Sequence, residues 1–299
     1  MKRFLAIFWV SVVLVIAIAS CAPGSPVGSG GDVIVASKDF TEQDILGELL
    51  AQQIEAKTGL KVDRRPRLGG SFVCHQAIIS GKIDAYIEYT GTAFTGILKQ
   101  KAIPDAETVY QRLKQLYNQK FQLEVLPSLG FENTFAMIIR GEDARNYNIQ
   151  TLSQAAQYTR QWRGGFGYEF LEREDGFPGL ARVYKLEFSR PPQIMDLGLI
   201  YRALIQKQVD LIAGNSTDGQ IARLGLVVLQ DDKRYFPPYE AAPIVRQETL
   251  GKYPQLRAAI ASLAGKISAD EMRQLNYQVE GELRDVKDVV REFLQTKGL

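Results

Sequence analysis

The stretch VIVASKDFTEQDILGELLAQQI, residues 33–54, joins a β-rich run to a helical pattern through a polar turn. The run is 33–36, and the helical pattern starts at Thr41, which has the spacing of a capping box with Asp44. Gly59 predicts the end of the helix. The apolar residues of the helical pattern form one stripe: Ile45, Leu46, Leu49, Leu50 and Ile54. The stretch therefore predicts a strand, a turn and a helix, in that order.

The same order of strand, turn and helix recurs over residues 61–81 and 83–99, and further strands and helices follow from 135 to 229. Strands that alternate with helices predict a parallel sheet covered on both faces. In such sheets, ligands bind beyond the carboxyl ends of the strands and against the helix N-termini. The polar turns that meet this condition are 37–43, 69–71 and 88–92. We therefore expect a binding crevice formed by these turns.

Helix-start signals and apolar spacing predict several later helices. Helices are expected over 151–162 and 268–280, each opened by a capping box. The two capping pairs are Thr151 with Gln154 and Ser268 with Glu271. A helix over 196–206 is expected to turn three residues inward: Leu199, Ala203 and Leu204. The chain after Leu250 is predicted to be mostly helical.

Composition excludes several classes of protein. With 299 residues, 45% apolar and 23% charged, the chain has the composition of a globular protein of one large domain or two lobes. The 36 Lys and Arg nearly balance the 34 Asp and Glu, so no charge excess points to nucleic acid. Two cysteines and one histidine argue against a disulfide framework and against a metal site. We expect neither a metal nor a cofactor.

The N-terminus carries an export signal. Lys2 and Arg3 precede an apolar run, residues 4–19, whose helix of about 24 Å is shorter than the ~30 Å hydrocarbon core of a membrane. The run ends in Ile18-Ala19-Ser20-Cys21, which resembles a bacterial lipobox. We expect a signal peptide over 1–20, lipidation of Cys21 and a flexible tether over 21–31. This predicts an extracytoplasmic, lipid-anchored protein; the alternative is an uncleaved membrane anchor.

Several strings resemble, in order and spacing, the osmoprotectant-type binding proteins of ABC transporters, which bind glycine betaine, carnitine, choline or proline. The resemblance extends from about Val33 to the C-terminus. The strings include SKDFTEQDILGE at 37–48, LGGS at 68–71, EYTGT at 88–92, GFENTFA at 130–136, STDG at 216–219 and FPPY at 236–239.

The resemblance implies a type II periplasmic-binding fold: two α/β lobes with a ligand cleft and two crossover segments. Lobe 1 is expected to be discontinuous, over 32–134 and 236–299, and lobe 2 to span 135–235. The protein would capture a quaternary-ammonium or zwitterionic solute of the glycine betaine class. It would act as a monomer, deliver the solute to an ABC permease and have no enzymatic activity.

A betaine has two ends that need different partners. Its quaternary ammonium has no N–H, so aromatic faces hold it, each contributing about 0.5–2 kcal/mol. Its carboxylate suits an arginine fork and hydroxyl donors. By resemblance, the aromatic positions are Tyr89, Phe135 and Tyr239, and the carboxylate-binding residue is Arg173.

The resemblance also implies polar ligand contacts at Gln43, Ser71 and Asn133. Asn215 is a further candidate ligand contact: with Ser216 after it, it stands where members of the family often have a tyrosine. Phe135 likewise stands in place of a common tyrosine. An incomplete aromatic cage predicts either a larger or more polar zwitterion or weak binding of glycine betaine.

Other interpretations stay open for individual residues. Phe135 fits a buried strand, Arg173 fits a charge paired with its acidic neighbours, and Glu88 fits either a cation partner or a helix cap. Tyr201 is expected to pack in the core. Cys74 is expected to be a small buried hydrophobe, since a thiol needs a base partner to react and its neighbour His75 lies on another helix face.

Two alternative functions also stay open. The same fold could bind another small zwitterion, such as an amino acid, a choline derivative or a thiol-histidine betaine. A secreted hydrolase would need a nucleophile activated by a base. The chain has no Gly-x-Ser-x-Gly elbow, and its single histidine has no evident partner.

Overall fold

Residues 31–299 are described by a computed structural model. The predicted signal peptide and the lipidation site at Cys21 lie outside the described residues. The described part contains ten strands: β1 Val33–Ala36, β2 Val62–Arg65, β3 Ala85–Tyr89, β4 Leu123–Val125, β5 Phe135–Arg140, β6 Gly164–Phe166, β7 Gln193–Ile194, β8 Leu211–Asn215, β9 Leu226–Val228 and β10 Ala241–Arg246.

The strands form two five-stranded sheets. The first sheet has the order β2-β1-β3-β10-β4, and the second has the order β7-β6-β8-β5-β9. In the first sheet β1 runs parallel to β2 and β3, whereas β10 runs antiparallel to β3 and β4. In the second sheet β6 runs parallel to β7 and β8, whereas β5 runs antiparallel to β8 and β9. Both sheets are therefore mixed, and the prediction of a parallel sheet was wrong.

In the first sheet the antiparallel strand is β10, for which no strand is predicted from the sequence. This strand lies between β3 and β4, with Pro243 opposite Ile87. Proline cannot donate to a strand ladder, so a proline in an apolar run argues against a central strand. The pairing of β10 with both neighbours is a property of the folded chain that this run of sequence does not show.

Helices cover the sheets. They are α1 Thr41–Thr58, α2 Ser71–Ile79, α3 Ala106–Phe121, α4 Gly141–Asn146, α5 Leu152–Ala155, α6 Tyr168–Glu172, α7 Phe177–Tyr184, α8 Ile200–Ile205, α9 Gln220–Arg223, α10 Gln247–Lys252, α11 Gln255–Ala261, α12 Ala269–Glu280 and α13 Val286–Lys297. A π-helix, Thr92–Ile97, follows β3, and a 3₁₀ turn, Thr159–Gln161, follows α5. None of the helices in residues 31–299 has both the length and the apolar character to cross a membrane.

Two of the three predicted capping boxes are confirmed, at Thr151 and Ser268. The third was wrong: Phe40 is the N-cap of α1, and no side chain caps it. Asp44 instead accepts a hydrogen bond from Arg67 Nε at 2.8 Å. The pairing partner lies 23 positions along the chain, which a local capping pattern does not reveal.

Two other helix predictions need correction. The helix expected over 151–162 ends at Ala155. The helix expected over 196–206 begins only at Ile200. Leu199 is therefore outside the helix and 57% exposed, while Ala203 and Leu204 are buried as expected.

Two segments connect the sheets, one between β4 and β5 and the other between β9 and β10. The predicted lobe boundaries at 134 and 235 fall inside these segments. All strands of the second sheet lie between 135 and 228. The division into lobes stays a prediction, and the two sheets agree with it.

Candidate ligand-binding site

A cavity of about 280 Å³ is lined by residues of both sheets. The three polar turns expected to form a crevice all contribute to its wall, through Lys38, Ser71 and Thr92 among others. Seven of the eight predicted ligand-binding residues line it: Ser71, Tyr89, Asn133, Phe135, Arg173, Asn215 and Tyr239. Strand register explains one of these meetings, because Phe135 of β5 lies opposite Asn215 of β8.

Gln43 is the predicted residue that the structure does not bring to the cavity. Its side chain is fully buried on α1, and neither Nε2 nor Oε1 has a hydrogen-bond partner among the described residues. The neighbouring carboxylate of Glu42 takes the hydrogen bonds from the cavity wall instead.

One end of the cavity carries a buried ion pair. Lys38 Nζ lies 2.5 Å from Glu88 Oε1 and 3.4 Å from the Ser71 hydroxyl. Both charged side chains are almost fully buried, at 3% and 1% exposed. Lys38 Nζ also lies 4.2 Å from the ring centroid of Tyr89. Of the two alternatives for Glu88, the structure shows the one in which it pairs with a cation.

A second buried ion pair lies on the same wall. Arg173 donates from Nε to Asp175 Oδ1 at 2.9 Å and from Nη2 to Oδ2 at 2.5 Å. Burial opposes ionisation of Asp175, but the hydrogen bonds and charge of Arg173 outweigh it and lower the pKa of that carboxyl. Arg173 is therefore both a paired charge and a cavity residue, since Nη2 also reaches the Thr92 hydroxyl at 3.2 Å.

The π-helix after β3 positions this second pair. Thr92 at its start contacts Arg173, and the Thr95 hydroxyl donates to Asp175 at 2.5 Å. A side chain at Gly96 would lie 3.1 Å from Arg173 Nε, so glycine at this position leaves room for the guanidinium. π-helical turns are frequent at functional sites.

Aromatic rings cover much of the remaining wall. The Phe135 centroid lies 4.7 Å from that of Phe170 and 5.8 Å from that of Tyr239. Arg173 Cζ lies 5.1 Å from the Phe135 centroid. Phe135 thus packs in the core and lines the cavity, so both of its predicted roles are compatible with the structure.

Glu169 adds a carboxyl group to the cavity wall. It accepts a hydrogen bond from the Phe72 amide at 3.3 Å, at the start of α2. Burial raises the pKa of Glu169, and the nearby charges of Lys38 and Arg173 oppose that rise. The cavity wall therefore contains two cations, Lys38 and Arg173, and three carboxyl groups outside their ion pairs: Asp39, Glu169 and Asp196.

Asn215 is held by a turn beside the cavity. The backbone amide of Asn215 donates a hydrogen bond to Asp218 Oδ2 at 2.9 Å, and the Tyr201 hydroxyl donates to the same carboxyl group. Burial raises the pKa of Asp218 to about 7. Tyr201 is buried and does not line the cavity, as expected. Cys74 is buried too, and burial raises its thiol pKa to about 12, which disfavours a reactive thiolate.

Sequence reasoning missed several residues of the cavity wall: Lys38, Phe40, Thr92, Tyr168, Glu169, Phe170, Met195 and Leu197. Lys38 and Thr92 could have been found, because both lie in turns predicted to form the crevice. Met195 and Leu197 follow β7, a two-residue strand with exposed residues and no sequence signal.

Residues 31–296 match the family described as the substrate binding domain of ABC-type glycine betaine transport systems. The chain belongs to this family. The resemblance predicted from the motifs is thereby confirmed, and so is the fold class. The family is one of transport proteins and is not a class of enzymes.

Three proteins similar to this chain have names that refer to different ligands. The carnitine transport binding protein OpuCC of Listeria monocytogenes is 38% identical over 98% of this chain and 96% of its own length. The ergothioneine transport permease/ergothioneine binding protein EgtU of Helicobacter pylori is 37% identical over 89% of this chain and 48% of its own length. A crystal structure of a glycine betaine/carnitine/choline ABC transporter protein is 34% identical, with a TM-score of 0.72, over 89% of this chain and 98% of that one.

Proposed function

We propose that this protein captures a small quaternary-ammonium zwitterion and delivers it to the permease of an ABC importer. The observation that carries the proposal is the cavity, which holds two buried cations beside aromatic rings. Family membership supports the transport role, and the residues of the cavity wall support the proposed class of ligand.

The ligand carboxylate is proposed to bind between Lys38 and Arg173. An ammonium group has three donors, and those of Lys38 have two partners, Glu88 and Ser71. Among the described residues, Arg173 Nη1 has no hydrogen-bond partner, since Asp175 and Thr92 engage Nε and Nη2. Each cation therefore keeps a donor for a carboxylate.

The ligand ammonium is proposed to bind against ring faces of the cavity wall. Phe40, Phe135, Tyr168 and Tyr239 line the cavity, and Glu169 adds a carboxyl group. A quaternary ammonium gains from ring faces and from nearby carboxylates, and it needs no hydrogen-bond acceptor.

Capture is proposed to occur by closure of two lobes, 32–134 with 236–299 and 135–235. Contacts across the cavity support this, because Thr95 and Thr92 of the first group bind Asp175 and Arg173 of the second. The further proposals are a monomer that is secreted, lipidated at Cys21 and held at the outer face of the membrane. Export, lipidation and the place at the membrane rest on the sequence signals at residues 1–31, and the monomeric state rests on the resemblance to the family.

Calorimetric titration tests the function. Glycine betaine, carnitine, choline and ergothioneine are titrated into the protein, and we expect at least one carboxylated ligand to bind. The variant Arg173→Gln/Asp175→Asn removes the guanidinium without leaving a buried charge unpaired. We expect this variant to bind the carboxylated ligands about tenfold more weakly or worse, because one charge-assisted hydrogen bond is lost. Choline binding should weaken much less.

Choline, which has no carboxylate, is the internal control for cavity damage. Equal losses for choline and for the carboxylated ligands would contradict the role of Arg173. Binding of none of the four would contradict the proposed function, as would sustained turnover of ester or phosphate substrates.

A further inference from the structure

The carboxyl group of Glu42 accepts four hydrogen bonds inside the protein. Its side chain is 2% exposed. Each oxygen receives two donors. Oε1 accepts from the Tyr89 hydroxyl at 2.5 Å and Asn133 Nδ2 at 2.8 Å, and Oε2 accepts from the Thr217 hydroxyl at 2.5 Å and Asn276 Nδ2 at 2.9 Å.

Glu42 has no positively charged side chain as a partner within residues 31–299. A buried carboxylate is costly unless hydrogen bonds replace its hydration. The four donors do so, and Glu42 also lies in the first turn of the 18-residue helix α1, where the helix dipole favours negative charge. Because burial of a carboxylate needs so many donors, we expect Glu42 to have a role other than packing.

The four donors come from separate parts of the fold. Tyr89 ends β3 of the first sheet, and Asn133 lies in the segment that connects the first sheet to the second. Thr217 follows β8 of the second sheet, and Asn276 lies on α12. One carboxyl group therefore joins both sheets and a connection between them.

Two of the donors line the candidate cavity, but Glu42 does not. Any influence of Glu42 on a ligand therefore passes through Tyr89 and Asn133. Lys38 Nζ, a cavity cation, lies over the Tyr89 ring, 4.2 Å from its centroid. The carboxyl group thus fixes the place of a ring that in turn contacts this cation.

We propose that Glu42 is a positioning residue for ligand capture. It holds the Tyr89 ring and the Asn133 amide on the cavity wall, and it ties that wall to the second sheet through Thr217. The inference rests on the proposed function for its ligand-binding consequence, although the hydrogen bonds themselves do not.

The variant Glu42→Gln tests the proposal, with Glu48→Gln as its matched control. Glutamine keeps the shape but offers one acceptor oxygen, and its amide faces two of the donors. Glu48 is a buried acid of the same helix, bound to Arg64 at 2.7 Å, and it does not line the candidate cavity. For a probe from the titration panel that binds the wild type, we expect Glu42→Gln to weaken binding about tenfold. Glu48→Gln should change it less than twofold.

A double-substitution cycle separates positioning from general destabilisation. Tyr89→Phe removes one donor, so Glu42→Gln should weaken binding less in a protein that already carries Tyr89→Phe than in the wild type. Fully additive losses would overturn the proposal, because they would show that Glu42 does not act through Tyr89. Equal losses in Glu42→Gln and Glu48→Gln would overturn it too.

Hydrogen exchange of the ligand-free protein gives a readout that does not depend on the ligand. We expect Glu42→Gln to speed amide exchange in segments 88–92, 130–135 and 215–219, and Glu48→Gln to leave these segments unchanged. If Glu42→Gln does not fold, Thr217→Val, which removes a single donor, should speed exchange in the same segments to a smaller degree. Unchanged exchange in these segments would contradict the proposal. A failure of all four ligands to bind the wild type would instead contradict the proposed function alone.

Discussion

Tyr239 contributes both to the ion pair of Arg173 with Asp175 and to the aromatic part of the cavity wall. It is 1% exposed, and its hydroxyl donates to Asp175 at 2.8 Å. Its ring meets that of Phe135 edge to face, with centroids 5.8 Å apart. The hydroxyl therefore helps to hold the partner of Arg173, while the ring belongs to the cavity.

Tyr239→Phe should separate these two contributions. Loss of a hydrogen bond to a charged group is expected to lower the free energy of unfolding by about 2 kcal/mol. The ring stays, so choline binding should weaken less than in Tyr239→Ala. Urea denaturation and calorimetric titration measure the two effects.

Tyr117→Phe is the control for this substitution. The Tyr117 hydroxyl is fully buried and has no hydrogen-bond partner among the described residues. Removing it should leave the stability unchanged or raise it slightly, because an unsatisfied buried group is lost. An equal loss of stability in both variants would show that the bond from Tyr239 to Asp175 contributes nothing.

At the scale of elements, the junction between β3 and the π-helix depends on Gly91. A side chain there would lie 2.6 Å from the Pro238 carbonyl oxygen and 2.6 Å from Tyr239 Cδ1. The first of these atoms belongs to the backbone of the segment between β9 and β10. Close approach of this segment to β3 therefore requires glycine.

Gly91→Ala should consequently destabilise the protein by about 1–3 kcal/mol and weaken ligand binding through displacement of Tyr239. Gly251→Ala is its counterpart, because a Cβ in α10 meets nothing within 4 Å. That change should be neutral or stabilising by up to about 1 kcal/mol. Thermal denaturation and titration of both variants measure the difference, and similar behaviour of the two would refute the close-approach argument.

For the whole molecule, the cavity wall draws residues from both sheets, so we expect a ligand in the cavity to contact both. Ligand at 100 times its Kd should add about 2.7 kcal/mol to the free energy of unfolding. The corresponding rise in Tm is on the order of 5–10 °C. We expect a single thermal unfolding transition, which the ligand moves as a whole to higher temperature.

Calorimetry with choline, carnitine and glycine betaine measures that shift, and the Arg173→Gln/Asp175→Asn variant should lose about half of it or more for the carboxylated ligands. Two separate transitions, of which only one moves with ligand, would show that the ligand contacts one sheet alone.

The amino-acid sequence is sufficient to predict the features that depend on neighbouring residues. The run β1, the polar turn and α1 follow from local apolar spacing, and the capping boxes at Thr151 and Ser268 form from residues three apart. Motif order also predicted the family and seven of the residues that meet at the cavity, although Gln43 lies elsewhere and residues such as Lys38 and Glu169 were missed.

Tertiary structure alone decided the antiparallel place of β10, the cations over Tyr89 and Phe135, and the four bonds to Glu42. The donors to Glu42 are 47, 91, 175 and 234 positions away along the chain. No local pattern specifies such a partner, because buried polar groups are satisfied by whatever donors packing brings within reach. A sequence shows which residues are suited to a site, whereas the fold determines which of them meet.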